Sequence, residues 1–452
     1  MVKRVLKFLH KPVYKRRIAV LADKIVSHLD AGDKVLDIGC GSGLLGEGVL
    51  RHRDFRILWM GMLLSSSTIM FQWFAVGRLI EDYFPRILGD SFPILVMLGI
   101  AGLTRGLGIL IFSIVGGALA DRHDRRNLAI GTQIAGLTAS GLFALLIALD
   151  WIQLWQVFVL LFAAAASQTF DLPARQALIP QLVERREITN AVALFTAAMQ
   201  TSFAFSPLIA GYFLDAVGIA GTYAVSMVGH GVLLLALLFI RPRGLEAVPA
   251  HEGMLVQIRN GIRYARGNEA VFAILVISFA LSASAMSVII NLSPYWILRV
   301  LDASPTTWGL LAAIWGTGAV ITSYTLSGMG SFGNKGKMFL GSALVFSALF
   351  VVWGLTRSLV WFSVTQFFMA VCMSANFVSA GAIIQTLVPD EIRVRVLSLF
   401  GLNQAIALTT GIVVGSLAEL AGATTVVPVI AVGLVGVLAC CAVALPRLRN
   451  VD

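Results

Sequence analysis

The residue run with the clearest chemical meaning stands near the start of the chain, where KVLDIGCGSG occupies residues 34–43. A short apolar strand ends at the aspartate and leads into a loop with three glycines. Glycines in such a loop let the backbone lie close to a nucleotide-like ligand, because they carry no side chain to hold it off. The pattern suits an enzyme with a nucleoside cofactor. Its residues are Asp37, Gly39, Gly41 and Gly43.

The rest of the chain is mostly apolar, and only a few polar side chains inside it are candidates for chemistry. A guanidinium or imidazole within such a segment is costly unless it is paired or lines water, and this singles out Arg105 and His230. Asp171 precedes Arg175 by one helical turn and predicts a local structural ion pair. Asn and Gln side chains either contact substrate or join helices. The predicted cavity residues are Arg105, Gln72, His230, Asn291, Asn376 and Gln404.

The elements that must position these residues are membrane-spanning helices. Of the 452 residues, 58% are hydrophobic and 13% charged, and the mean hydropathy is +0.86. Apolar segments of about 20 residues, the length that crosses a bilayer as a helix, follow one another from residue 57 onward. The fold class predicted is an all-α polytopic membrane protein with twelve transmembrane helices. The spans are 57–80, 93–120, 127–149, 151–172, 190–214, 219–240, 270–298, 306–330, 337–356, 358–386, 396–420 and 424–445.

Basic residues indicate how these spans are oriented. One set of loops holds only Arg78, Arg86, Arg299 and Arg357 of the 34 Lys and Arg residues. Nearly all the others lie in the N-terminal tail, the opposite loops and the C-terminus. This positive-inside bias places both termini in the cytoplasm of a plasma-membrane protein. The net charge of +10 then reflects topology, and no nucleic-acid partner is expected.

An internal repeat divides the chain into two halves. ALIPQLVERREITNAVALF from Ala177 resembles AIIQTLVPDEIRVRVLSLF from Ala382, and Gly211 matches Gly415 after a one-residue slip. Two six-span halves in parallel orientation are a transporter plan, with the substrate bound between them near mid-membrane. The predicted units are 1–52, an N-terminal appendage; 53–240, a first six-helix bundle; 241–268, a cytoplasmic linker; and 269–452, a second bundle with the tail.

The loop between spans two and three carries the sharpest motif, GGALADRHDRR at residues 116–126. A carboxylate and several guanidiniums at the ends of two packed helices form a charged latch. The motif resembles the loop 2–3 signature of the major facilitator superfamily, and the resemblance covers residues 54–445. It implies alternating access, with the latch holding the outward-open state through span eleven. The latch residues it implies are Gly117, Asp121, Arg122, Arg125 and Arg126.

Further resemblances narrow the group. FRILWMG at Phe55, DLPARQALIPQLV at Asp171 and NAVAL at Asn190 are similar to the branch of enterobactin exporters, macrolide efflux pumps and lysophospholipid transporters. A partial antiporter motif in span five would let helices five and eight pack closely. The arginine that many proton-coupled relatives carry in span four is absent from residues 151–172, which puts proton coupling in doubt. The helix-five residues are Ser206, Pro207 and Gly211.

The N-terminal motif resembles the first motif of class I S-adenosylmethionine-dependent methyltransferases, but the transporter pattern starts directly after it. The second strand and the acidic ribose ligand of that fold are missing. One βα unit is also too small to fold alone. We therefore interpret residues 1–52 as a short α/β remnant of a truncated methyltransferase start, without a catalytic site or a cofactor. The four cysteines show no metal-ligand spacing.

The sequence thus predicts a monomeric exporter of amphipathic small molecules, either drug-like or siderophore-like. It would work by secondary active transport, with protons as a candidate coupling ion. A lysophospholipid flippase is the alternative within transport. A membrane-anchored S-adenosylmethionine-dependent methyltransferase is the alternative of another class, and the missing strand argues against it.

Overall fold

The computed structural model describes residues 49–89, 91–120, 124–240, 254–329 and 334–444. The glycine motif of residues 34–43 and the latch residues Asp121 and Arg122 lie outside this part of the chain. Over the described residues the secondary structure is helical. Eleven of these helices are long and apolar enough to cross a membrane.

One of the eleven helices comprises two consecutive membrane spans. The helix Ile188–Phe239 has 52 residues, about 78 Å at 1.5 Å per residue and far more than a bilayer requires. Gly218 interrupts it with φ 69° and ψ −171°, a conformation that only glycine adopts without strain. Phe195 and Leu237 from its two arms then meet in one buried cluster. The chain therefore reverses at Gly218, and the described helices supply the twelve predicted spans.

We number the spans in chain order. They are α1 Arg53–Leu88, α2 Ile94–Ala120, α3 Arg125–Ala148, α4 Leu154–Leu182, α5 188–217, α6 219–239, α7 Glu269–Val300, α8 Pro305–Met329, α9 Lys335–Leu355, α10 Leu359–Leu387, α11 Arg395–Ala421 and α12 Ala423–Ala444. A further helix, Met254–Gly267, lies in the linker. Its Gly261 faces Arg395 and Leu399 at the start of α11.

Two spans extend beyond their predicted ends, because charged residues near those ends have partners. Helix α4 continues through Pro173 and Pro180 to Leu182, since the charges of Asp171 and Arg175 compensate each other. Helix α1 continues to Leu88 in the same way, with its acidic residues paired. Residues 151–172 contain no basic residue, as stated above, but the helix runs beyond them and includes Arg175.

The two ends of the bundle differ in their number of basic residues. The chain turns at Gly89, Asp150, Gly218, Asp302 and Gly422 with positive φ. All five turns lie at the end that has few Lys and Arg residues, which we call the low-charge end. The opposite end, the basic end, carries the linker helix and the start of α3. Two buried apolar clusters lie within residues 49–240, while the largest lies mainly within 265–438. The packing thus follows the two halves of the repeat.

Candidate functional site

A cavity of about 310 Å³ lies between the two halves. Helices α1 and α5 of the first half and α7 to α10 of the second half form its wall. Its volume is at the lower end of the range for small-molecule sites, about 300–1,000 Å³. None of the described residues that line it is charged. Its aromatic side chains are Trp73, Phe203, Trp308, Trp315 and Trp353.

The aromatic wall is held in place by contacts between the halves. Trp308 of α8 stacks on Phe74 of α1 with ring centroids 3.9 Å apart, and it meets Trp73 edge-on at 5.5 Å. The indole N–H of Trp73 donates to the Ile290 carbonyl of α7 at 3.1 Å. These rings offer an apolar surface whose orientation is fixed on both sides of the cavity.

Two polar groups in the cavity wall are available to a ligand. The Ser293 hydroxyl is buried and has no hydrogen-bond partner among the described residues. Gln200 also lines the cavity, and its amide makes no hydrogen bond within the part of the chain that the structure covers. Gln366, by contrast, is fully used, since it donates to the Leu311 carbonyl and accepts from Trp353. An apolar cavity with a few free polar groups can hold an amphipathic molecule.

An ion pair joins the halves at the low-charge end. Glu81 of α1 is only 2% exposed, and it accepts from Arg299 of α7 at 2.5 Å. Arg78 donates to the same carboxylate at 2.9 Å, and Arg299 also donates to the Glu81 carbonyl at 3.0 Å. Because the carboxylate has a guanidinium partner on each half, this contact ties α1 to α7.

Two further contacts at that end are related by the internal repeat. Asp215 of α5 accepts from the backbone N–H of Thr306 at 2.9 Å, at the start of α8. Glu419 of α11 accepts from the backbone N–H of Leu95 at 3.0 Å, at the start of α2. A carboxylate is favourable at a helix N-terminus, where N–H groups are unpaired and the helix dipole is positive. Each half thus caps a helix of the other half.

Helices α5 and α8 approach closely at the helix-five motif. A Cβ added to Gly309 would lie 2.5 Å from the Pro207 carbonyl and 3.1 Å from the Gly211 Cα. Gly211 in turn faces the Pro305 carbonyl at the start of α8. Ser206, beside them, is buried and its hydroxyl has no partner among the described residues. Glycine at both sites is therefore what permits this crossing.

We expect Gly309→Ala to lower transport about tenfold while the protein still inserts. The added methyl group would overlap backbone atoms, and overpacking of this kind costs about 1–3 kcal/mol. Transport per molecule and the amount in the membrane should be measured together. Gly433→Ala is the matched control, because nothing lies within 4 Å of a Cβ at Gly433. Equal transport by the two variants would contradict the prediction.

A buried polar network runs through the first half. Asp171 accepts from Arg175 Nε at 2.9 Å, from Gln133 Nε2 at 2.6 Å and from Thr132 at 3.2 Å. Gln133 Oε1 contacts His230 Nδ1 at 2.9 Å. The ion pair of Asp171 and Arg175 is therefore one end of a network that joins α3, α4 and α6.

The network indicates which ring nitrogen of His230 carries the proton. Since the Gln133 amide nitrogen donates to Asp171, its oxygen faces His230, and Nδ1 must carry the proton. Nε2 is then the acceptor nitrogen of the ring and lies 3.2 Å from Gln72 Nε2. Gln72 also contacts Ser140 and Ser226. Gln72 and His230 thus lie together inside the first half, and neither is among the residues that line the large cavity.

The other predicted cavity residues are spread over several contacts. Arg105 and Asn291 line a smaller pocket of about 20 Å³ beside the large cavity. Asn291 donates to the Ser287 and Ala407 carbonyls, both at 2.9 Å, and so ties α7 to α11. Asn376 donates to the Phe339 carbonyl at 2.9 Å and ties α10 to α9. Gln404 is exposed on α11.

The described part of loop 2–3 shows how its motif ends. Asp124 caps α3, with its carboxylate accepting from the backbone N–H groups of Arg126 and Asn127. The Arg126 guanidinium donates to the Leu237 and Leu238 carbonyls at the end of α6, both at 2.8 Å. A cation is favourable at a helix C-terminus. Arg126 therefore joins α3 to α6 at the basic end. Gly117 lies in the last turns of α2 and Arg125 starts α3.

Comparison with known proteins identifies the family. The family model described as the transmembrane secretion effectors of the major facilitator superfamily matches residues 48–452. The chain belongs to this family. It is therefore a multi-pass membrane transporter, and its relatives are transporters rather than enzymes.

Several transporters are similar to this family member along most of its length. Macrolide efflux protein A of Streptococcus pyogenes is 24% identical over 80% of this chain and 88% of its own. An enterobactin exporter of Shigella boydii is 28% identical over 60% of this chain and 66% of its own. A bacterial homologue of the human lysosomal transporter Spinster, inward-facing and unoccupied, superposes with a TM-score of 0.68 at 12% identity, covering 88% and 98% of the two chains.

Sequence reasoning missed the groups that join the two halves at the low-charge end. The contact between Glu81 and Arg299 gave no signal, because the two residues are 218 positions apart in sequence. Asp215 and Glu419, by contrast, could have been found from the internal repeat. They stand 204 residues apart, as do Gly211 and Gly415, so extending that match by four residues would have found them.

Proposed function

We propose that this transporter exports amphipathic small molecules by alternating access, as a secondary active transporter, and that the aromatic cavity binds the substrate. The observation that carries this is the cavity itself, which lies between the halves and is lined by indole rings and two free polar groups. Efflux of macrolides and enterobactin by relatives of similar sequence supports export.

The proposal includes an orientation and a conformation. In this proposal the protein lies in the plasma membrane. Its basic end and both termini face the cytoplasm, as the positive-inside bias indicates. With that orientation, the contacts of Glu81, Asp215 and Glu419 close the external side, so the transporter is inward-facing. The likeness to an inward-facing relative of the same fold supports this assignment. Residues 53–240 and 269–452 would rock about the cavity, while the latch at Gly117, Asp121, Arg122, Arg125 and Arg126 would hold the opposite state.

Accumulation of dyes and macrolides in cells that lack their own efflux pumps tests the function. Cells that make the transporter should retain less of its substrates, and collapse of the proton gradient should remove the difference if protons drive export. The measurement with the proton gradient collapsed is included because α4 contains a buried arginine, Arg175, beside Asp171. Labelled lysolipid in the same cells tests the flippase alternative. No change for any compound would overturn export.

Trp315→Ala should weaken export of each substrate about tenfold or more, because Trp315 lines the cavity and loss of a tryptophan that anchors a binding partner costs about 2 kcal/mol or more. The matched control is Trp361→Ala, which removes a tryptophan that is 64% exposed on α10. Apparent affinity and membrane abundance should be measured for both variants. If the two variants transport equally well, the cavity is not the substrate site.

A further inference from the structure

A smaller pocket beside the cavity contains a charged group, Arg105, that has no ion-pair partner among the described residues. Arg105 of α2 lines the smaller pocket together with Trp73, Asn291 and Leu408. Helices α1, α2, α7 and α11 meet there, so both halves contribute. The volume of about 20 Å³ is enough for one water-sized group. Gly106, beside Arg105, lets α11 come close, since an added Cβ would lie 2.6 Å from Thr409.

The described residues provide no counter-ion for Arg105. Its guanidinium makes no hydrogen bond and no ion pair within this part of the chain, although it has five N–H donors. Four acidic residues of the spans are engaged elsewhere: Glu81 with Arg78 and Arg299, Asp171 with Arg175, Asp215 with α8 and Glu419 with α2. The guanidinium is therefore free to bind an acceptor from outside the described protein.

A second unpaired donor lies near the first. The Tyr223 side chain of α6 is 1% exposed, and its hydroxyl has no hydrogen-bond partner among the described residues. Tyr223 belongs to the same buried cluster as Leu98 and Ala101, which line the pocket together with Arg105. Buried polar groups are normally satisfied, so the Tyr223 hydroxyl is a second donor that a bound acceptor could engage. An anionic oxygen is the acceptor that a guanidinium binds most strongly.

The pocket adjoins the proposed substrate site, because Trp73 and Ile290 line both. A molecule with its apolar body against the indole rings can therefore direct an acidic group toward Arg105. We infer that the transporter takes amphipathic anions and that Arg105 binds their acidic group. This inference rests on the proposed function and specifies its substrate class.

Two fluorescent probes of the same skeleton test the inference on the purified full-length protein. 8-Anilinonaphthalene-1-sulfonate carries a sulfonate, and N-phenyl-1-naphthylamine lacks it. Arg105→Gln should weaken binding of the sulfonate probe about tenfold, the effect of losing a charge-assisted hydrogen bond, and leave the neutral probe unchanged. Arg105→Lys should keep part of the preference. Arg357→Gln, which removes an arginine packed on Trp296 at the low-charge end, should change neither affinity.

The outcomes separate this inference from the proposed function. Unchanged sulfonate affinity in Arg105→Gln, or equal loss of both probes, would overturn the role of Arg105. If that variant does not fold, the affinities of the wild-type protein for the two probes test the inference. Equal affinity for the sulfonate probe and the neutral probe would overturn the anion preference. Trp315→Ala should weaken both probes alike. If it weakens binding of neither probe, the aromatic cavity is not the binding site. That result would contradict the proposed function independently of Arg105.

Discussion

Replacing Asp171 with Asn is expected to remove most of the folded transporter from the membrane. The change leaves the Arg175 guanidinium buried in α4 without its carboxylate, and breaking a buried pair costs about 3–5 kcal/mol. It also weakens the hydrogen bonds from Gln133 and Thr132, and through Gln133 the position of His230. We expect the folded amount to fall to about a tenth or less, since each 1.4 kcal/mol is a factor of ten.

The amount and thermal stability of the detergent-solubilised protein measure this effect. Adding Arg175→Gln to Asp171→Asn should restore much of the protein, because the unpaired charge is then gone. The matched control is Asp390→Asn, which breaks the exposed pair of Asp390 and Arg393, and exposed pairs contribute only about 0–1 kcal/mol. A full yield of Asp171→Asn without the second change would contradict the assigned role.

The double variant Asp215→Ala and Glu419→Ala is expected to open the low-charge end. Each substitution removes a carboxylate that caps a helix of the other half, and loss of such a cap costs about 1 kcal/mol. Together they should shift the ratio of closed to open molecules about thirtyfold. Each single variant should shift it by about the square root of that factor, because the two caps lie on different helix pairs and act independently.

A cysteine placed in the cavity reports this shift. Ala312→Cys lines the cavity, and in a background without Cys40, Cys372, Cys440 and Cys441 it can be labelled with an impermeant maleimide from outside the cell. Labelling should be faster in the double variant than in the parent. Asp302→Asn is the control, because it removes an acidic charge from the same end and Asp302 has no hydrogen bond among the described residues. Equal labelling rates would show that the caps do not hold this end closed.

Local properties of the sequence were enough to predict the fold class. The hydrophobic length of each segment predicts a span, because a bilayer requires about 20 apolar residues whatever their neighbours are. The fold class of twelve spans and the transporter family follow from this pattern, the repeat and the loop 2–3 motif, and they are confirmed. Span ends were less predictable. Arg175 was placed outside α4, because a charge that is compensated in space is not distinguishable in sequence from one that faces water.

The site depended on tertiary structure for the same reason. Polar residues were expected to line the cavity, but Gln72, His230, Asn291 and Asn376 hydrogen-bond within and between helices, while tryptophans form the cavity wall. Which face of a helix meets the other half is decided by packing, and an apolar sequence leaves that face undefined. The repeat already contained Asp215 and Glu419 at equivalent positions. Only the structure could show that each caps a helix of the opposite half, and that Arg105 has no carboxylate among the described residues, because pairing between distant segments depends on where the chain brings them.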